Sequence, residues 1–310
     1  MKKNEKKLEI KNRAKSFYLA SLFFPLKLRN DIRNLYKFCR YIDDIGDEIK
    51  YSNKIAKDML KKISLKLYKG KSKDIVIRDF LQLMKIYNIS VSTPNDLIKG
   101  VITDLKKVNI RNKKELLIYS YRVAGTVGLM MCKIMDIKDK KLLFRGVQLG
   151  IAMQMTNIAR DVKEDLKRNR IYFPKSFRSF HNNDLQKILG NKKLKKKISN
   201  NLYKLLDEAD YIYSNAWNGI INLPFKYKVP IAIASELYQN IGKKIRKKKF
   251  NIWDKRIYLN NFEKFCYTFL AIFKILINKK KKINPKTDQE IYLILRRFNP
   301  LLNEKQKRRI

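Results

Sequence analysis

The chain has 310 residues, 45% of them hydrophobic, with only ten glycines and seven prolines, a balance that permits a sizeable core. Cys39, Cys132 and Cys266 are too few and too scattered for a disulfide framework or a zinc site and read as small core residues of a protein from a reducing compartment. Lysine and arginine number 72 against 28 acidic residues, a net charge of +44; such a field attracts nucleic acid, anionic lipid or polyphosphorylated substrates. A lysine-rich composition that fills solvated faces by default is the first explanation of the charge, attraction to anionic membrane the second and nucleic acid the last, because no RNA- or DNA-binding motif accompanies it.

The amino terminus, MKKNEKKLEIKNRAK, has no apolar run behind its charges, so no secretory signal is read there. KSFYLASLFFPL, Lys15 to Leu26, begins an apolar core helix stopped near Pro25. Leu28 to Ile49 follows as a helix carrying YKFCRYIDDIGDE, then a lysine-rich amphipathic helix from Tyr51 to Gly70 and another from Ile75 to Tyr87. Thr93 and Pro94 predict a helix start with Thr93 as its N-cap and Pro94 at the first position. Glu115 to Met135 contains YSYRVAGTVGLMM, in which Gly125 and Gly128 each cost about 1 kcal/mol relative to alanine. Such glycines imply either close helix packing or a kink that lets a ligand approach the backbone.

Lys141 to Lys167 is predicted as one helix, followed by a loop through Ile171 to Phe180 and by the single histidine, His181, in polar surroundings. Further helices span Asn201 to Ile221 and Ile231 to Ile245, with a basic loop from Lys247 to Arg256. Phe262 to Ile277 is amphipathic or buried, and interrupted by Lys264 and Lys274. No stretch reaches the roughly 18 uninterrupted apolar residues of a membrane span. Long runs with helical periodicity and little strand alternation predict an all-α chain. No boundary divides it, so residues 1–310 read as a single domain with basic, weakly patterned ends, 1–12 and 279–310, that are partly disordered.

Two helices carry the chemistry. Gln154, Asn157, Asp161 and Asp165 recur at spacings of three and four and share one stripe, a ligand surface for a hard cation. Arg168 and Arg170 follow, where the helix should end before Pro174, as cations for phosphate. Asp43 and Asp47 repeat the spacing, with Arg40 three residues before Asp43. Magnesium usually binds through one or two carboxylates together with substrate phosphates and waters. Two facing acidic stripes therefore suggest a diphosphate held between them through metal ions.

In order, KSFYLAS, YKFCRYIDDIGDE, YRVAGTVGLM, QMTNIARDVKEDLKRNRIYFP and ASELYQNI resemble the squalene and phytoene synthase family, over roughly Lys11 to Lys264. The resemblance implies an all-α isoprenoid synthase fold with helices around a central cavity, and a prenyltransferase that joins two isoprenyl diphosphates head to head. It matches Asp43, Asp47, Asp161 and Asp165 to the magnesium-binding aspartates, supported by Asn157 and Gln154. Arg40, Tyr36, Ser16, Arg160 and Tyr238 match positions that touch diphosphate; Phe17, Tyr119, Val123, Ala124, Val127 and Gly128 match the prenyl channel. A His-Ser pair common before the KSF segment is replaced by Arg13 and Ala14, leaving Arg13 as the candidate phosphate contact.

The implied product is phytoene from two geranylgeranyl diphosphates through a cyclopropyl diphosphate, in carotenoid biosynthesis. The cation is magnesium, or manganese in its place; no NADPH is expected, since no Gly-rich nucleotide fingerprint appears. Squalene or dehydrosqualene synthesis from farnesyl diphosphate is the alternative. Asp43 to Asp47 also satisfies the DDxxD element of a terpene cyclase, and a basic RNA-binding helical protein would account for the charge without chemistry. The expected place is the cytoplasm, peripheral at the inner face of the membrane.

Overall fold

The computed structural model describes residues 15–47, 51–106, 108, 110–177, 185–279 and 288–295. Arg13, His181 and most of the two basic ends therefore lie outside the described residues. Every regular element among those described is helical, as the periodicity predicted.

The first helices follow local chemistry closely. Helix α1 (Lys15–Ser21) stops short of Pro25, and α2 (Leu26–Asp47) carries the first acidic motif. Helix α3 (Asn53–Lys69) begins where the Ser52 side chain accepts the Ile55 N–H and ends at Gly70 in the left-handed conformation that glycine adopts without strain. Helix α4 (Ile75–Ile86) is capped by Asp74, whose carboxylate accepts two backbone N–H groups. Phe38 of α2 stacks on Phe80 of α4 with both rings fully buried.

Helix α5 (Ser92–Asp104) departs from the predicted start. Its N-cap is Val91, Ser92 is the first helical residue, and Thr93 and Pro94 are buried inside the first turn. A proline is tolerated there because first-turn N–H groups have no helical partner to lose.

The predicted Glu115–Met135 helix is divided. Helix α6 (Lys113–Ser120) runs into a π-turn at Tyr121–Gly125, where the Thr126 N–H reaches back to the Tyr121 carbonyl, and α7 (Thr126–Ile134) continues. Close packing accounts for its glycines. A Cβ on Gly128 would lie 2.2 Å from the Gly146 carbonyl oxygen, and one on Gly150 would lie 2.4 Å from that of Ala124. The π-turn and α7 thus pack backbone to backbone on α8 (Lys140–Arg160).

The predicted single helix to Lys167 also breaks. Helix α8 ends at Arg160, Asp161 takes φ −102° and ψ 13°, and α9 (Val162–Lys167) resumes. The hydrogen bonds Asp161 N–H to Asn157 and Asp165 N–H to Asp161, both 2.9 Å, carry the ladder across the break, so the side-chain stripe survives while its axis bends. A short 3₁₀ turn (Lys175–Phe177) and α10 (Leu185–Gly190) follow.

Helix α11 (Lys192–Ile220) starts earlier than its apolar pattern, capped by Asn191, and packs most extensively on α8. Helix α12 (Phe225–Lys247) runs through Pro230 instead of beginning after it, and α13 (Asn261–Ile277) lies against it. The last described helix, α14 (Gln289–Leu295), follows Asp288, which is buried beneath Arg145 of α8 and Asn215 of α11; both donate hydrogen bonds to its carboxylate. This buried charge cluster fastens the C-terminal segment to the two central helices.

Two outcomes follow from these contacts. Gly128→Ala should lower unfolding free energy by about 1–3 kcal/mol despite alanine's higher helix propensity, because overpacking against a backbone carbonyl outweighs the propensity gain; denaturant titration measures it. Arg145→Met should cost about 3–5 kcal/mol by leaving the Asp288 carboxylate short of a cation. Adding Asp288→Asn should restore much of that loss in the same titration.

Candidate active site

A cavity of about 290 Å³ runs between α1, α2, the π-turn, α7, α8, α11 and α12. Its mouth is set by Phe17, Tyr36, Gln154, Asn157 and Tyr238, and its depth by Met131, Cys132, Leu142, Arg145, Ala216, Gly219 and Leu223. From Asn157 to Leu142 the α8 wall descends fifteen residues, about 22 Å at the rise of a helix. Val123, Ala124, Val127 and Gly128 also line it. They reach the cavity because the π-turn and the glycine contacts press this segment onto α8.

Tyr119 does not join that lining. Its hydroxyl donates to the Asp104 carboxylate at 3.0 Å and its ring stacks on Tyr172 at 4.8 Å. Two residues before the π-turn, its side chain is carried towards α5 and the segment after α9. Ser16 is partly exposed on α1, and Phe17 stacks on Tyr36 at 5.7 Å.

The two acidic motifs meet around a group of arginines. Arg40 donates to Asp43 at 3.3 Å and also binds Asp44. Asp47 receives Arg168 and Arg170, each at 2.7 Å, and Arg170 donates as well to the Gly46 carbonyl at 3.0 Å. Since Arg170 follows α9, this contact ties the second motif to the end of the first. Asp161 is held by Arg160 at 2.7 Å and by Arg256 at 2.8 and 3.0 Å.

Electrostatics divide the four motif aspartates into two kinds. Burial opposes ionisation of Asp47, but Arg170 and Arg168 outweigh it and hold the carboxyl below its ordinary range. Arg160 and Arg256 do the same for Asp161. Asp43 sits in a concave mouth where water still reaches the side chain, yet desolvation and then the Asp47 charge push it up to about 6. Desolvation and Asp161 hold Asp165 well above the usual carboxylate range. Burial, and after it a neighbouring carboxylate, thus outweighs the arginines at these two positions and leaves a surplus of negative charge whenever they are ionised.

That surplus fits a hard divalent cation. Carboxylate and amide oxygens are the donors such an ion prefers, and the buried Oδ1 of Asn157 has no hydrogen-bond partner. Asn157 and Gln154 are neighbours, 3.5 Å apart through Nδ2 and Oε1. Among the described residues no three His, Cys, Asp or Glu side chains form a metal cage by themselves. A cation here would therefore draw further ligands from phosphate and water.

Several residues of this mouth were not singled out from sequence. Asp104, at the end of α5, is half-buried beside Tyr119, Tyr172 and Arg170, and desolvation pushes it up to about 7. It follows an apolar helix with no partner spaced near it, so no local pattern marks it. Arg256 reads as part of a basic loop, and only the folded chain carries it to Asp161. Arg145 and the small residues Ala216 and Gly219 at the cavity's depth likewise have no sequence signal.

The comparisons agree with this architecture. Residues 10–263 match the family model described as squalene/phytoene synthase. The chain is 28% identical over 284 residues to a 15-cis-phytoene synthase of Pantoea ananas, covering 88% of this chain and 92% of that protein. It is 32% identical over 239 residues to a phytoene synthase of Rhodobacter capsulatus, covering 76% and 70%. In three dimensions it is similar to a dehydrosqualene synthase solved with a ligand, with a TM-score of 0.75, 23% identity and coverage of 89% of this chain and 96% of the other. A squalene synthase from Alicyclobacillus acidocaldarius gives 0.68 and 21%, covering 80% and 94%; these structural likenesses establish the isoprenoid synthase fold. The helical cavity, the paired acidic motifs at its mouth and the match across most of the sequence identify the chain as a member of the squalene/phytoene synthase family of prenyltransferases.

Proposed function

We propose that the protein is a phytoene synthase, joining two geranylgeranyl diphosphates head to head for carotenoid biosynthesis in the cytoplasm at the inner face of the membrane. The observation that carries this reading is an apolar cavity with small residues along its wall, opening beneath a mouth rich in carboxylates and arginines. The relatives named phytoene synthase support the product class. Residues 1–310 act as one domain in this reading.

Diphosphate would be held by Arg40, Arg160, Arg168, Arg170 and Arg256, with Ser16 and, by the family resemblance alone, Arg13 as further contacts. Those arginines pair with aspartates now, so an arriving diphosphate shares them. Asp43, Asp47, Asp161 and Asp165, with Asn157 and Gln154, would hold magnesium, which when bound neutralises charge on the leaving diphosphate. The prenyl tail lies along Val123, Ala124, Val127 and Gly128.

The C1–O bond of the first substrate breaks with its electron pair leaving on diphosphate. The double bond of the second substrate supplies the electrons for the new carbon–carbon bond, and loss of a proton closes the cyclopropyl diphosphate. Departure of the second diphosphate and rearrangement give a cation that loses a further proton, so the product forms without a reductant. The aromatic rings of Phe17 and Tyr36, which line the cavity at its mouth, stabilise positive charge near the departing group. Apolar walls exclude the water that would quench it.

Asp43→Asn or Asp161→Asn should reduce turnover by at least about 10²–10³-fold with the fold retained, because each removes charge but keeps shape. Steady-state rates with magnesium present, beside circular dichroism, check this, and full activity in either variant would sink the assignment. Purified protein given geranylgeranyl diphosphate and magnesium, with no nicotinamide cofactor, should release phytoene on chromatography of extracted products. Turnover of farnesyl diphosphate alone would assign squalene or dehydrosqualene synthesis instead.

A further inference from the structure

Helix α13 carries an apolar face that no described residue covers. Phe262, Phe265, Phe269, Phe273 and Leu276 follow one another at steps of three, four, four and three, which sets them on a single stripe. They are between 57% and 75% exposed, and Ile277 extends the stripe at 59%. The opposite side of the helix, Thr268, Ala271 and Ile275, is buried where α13 packs on α12. The outward face is therefore no leftover of core packing: the helix has already buried its inner side and still presents four phenylalanines to solvent. Isolated exposed apolar residues are ordinary, whereas a contiguous patch of this kind marks an interaction surface.

The surrounding charge identifies the partner. At the amino-terminal end, Lys244 donates to the Tyr258 carbonyl at 3.0 Å and to Glu263 at 2.6 Å, which brings the last turn of α12 beside the first turn of α13. The exposed Lys243, Lys247, Lys248, Lys249 and Lys255 accompany it. Lys279 is exposed just beyond the carboxyl-terminal end. Glu263 is the only acidic residue of α13; it closes a capping box with Asn260 and its charge is matched by Lys244. An apolar stripe about 22 Å long, with lysines at both ends and no unmatched acid, has the make-up of a helix that lies in the plane of a bilayer. Pairing with a second copy would bring these lysines against each other, and like charges across an interface oppose association.

We propose that α13 docks the protein on an anionic lipid surface, with Phe262, Phe265, Phe269, Phe273 and Leu276 entering the acyl boundary and the flanking lysines on the headgroups. None of these side chains lines the cavity, so the docking face is separate from the prenyl-transfer site and stands or falls independently of the reaction assigned above.

Sedimentation with phosphatidylglycerol–phosphatidylcholine vesicles tests it, using the full chain and the triple variant Phe265→Ser, Phe269→Ser, Phe273→Ser. The triple variant should partition on the order of a hundredfold more weakly, from the apolar area removed. Its thermal unfolding and its turnover in detergent should stay at wild-type values. High salt should weaken wild-type binding by screening the lysines, while the residual binding should still depend on the phenylalanines. As a second measurement, a tryptophan introduced by Phe269→Trp should be quenched by vesicles with brominated acyl chains. Undiminished binding of the triple variant, an unquenched tryptophan, or lipid-free self-association that the triple variant abolishes would overturn the proposal, the last by assigning the face to a second copy.

Discussion

Carboxylates on separate helices can share a recessed, partly dehydrated mouth only if cations arrive with them, because desolvation and mutual repulsion both oppose their charge. Arg168 and Arg170 answer Asp47, and Arg160 and Arg256 answer Asp161. At Asp43 and Asp165 desolvation, and after it the neighbouring carboxylate, outweighs the arginines, which is why protonation becomes easier at these two positions. The arginines also have a structural effect. Arg170, beyond α9, clasps Asp47 and the Gly46 carbonyl at the end of α2, so the charge balance helps hold the two acidic elements at one opening. In the proposed reaction the same arrangement favours a ligand that brings both anionic oxygens and divalent cations.

Below the mouth, the cavity depends on an absence of side chains. Where α7 and the π-turn meet α8, Gly128 faces the Gly146 carbonyl and Gly150 faces that of Ala124 at distances no Cβ could occupy. Backbones brought this close form a dense wall, along which Val127, Gly128, Gly146, Leu149 and Gly150 line the cavity. The extra residue of the π-turn sets the phase of that wall: Val123 and Ala124 line the cavity, whereas Tyr119, just before the turn, is directed to Asp104 and Tyr172. At the deep end Arg145 lines the cavity while its guanidinium is committed to Asp288. The buried ion pair therefore joins the floor of the cavity to the C-terminal segment.

The sequence by itself determined the helical class, most helix positions and the chemistry of the two acidic motifs. Periodicity and the terminal glycine after α3 are local signals, and the three-and-four spacing of Asp43, Asp47, Asn157, Asp161 and Asp165 fixes which side chains share a face. Local signals failed where packing overrode them. Thr93 has the chemistry of an N-cap but is buried within α5, Pro230 lies inside a helix, and Asp161 interrupts one that the pattern reads as continuous.

Only the tertiary structure decided which charges meet and which side chains enclose space. Arg256 reaches Asp161 across 95 residues, Arg170 reaches Asp47 across 123 and Arg145 reaches Asp288 across 143. Such pairings depend on how helices cross, and no spacing along the chain encodes them. Tyr119 was directed away from the cavity by a π-turn whose longer hydrogen-bonded ring is not visible in hydrophobic periodicity. Asp104 acquires its unusual environment from three separate segments closing around it, since desolvation is a property of the assembled core and not of the residue.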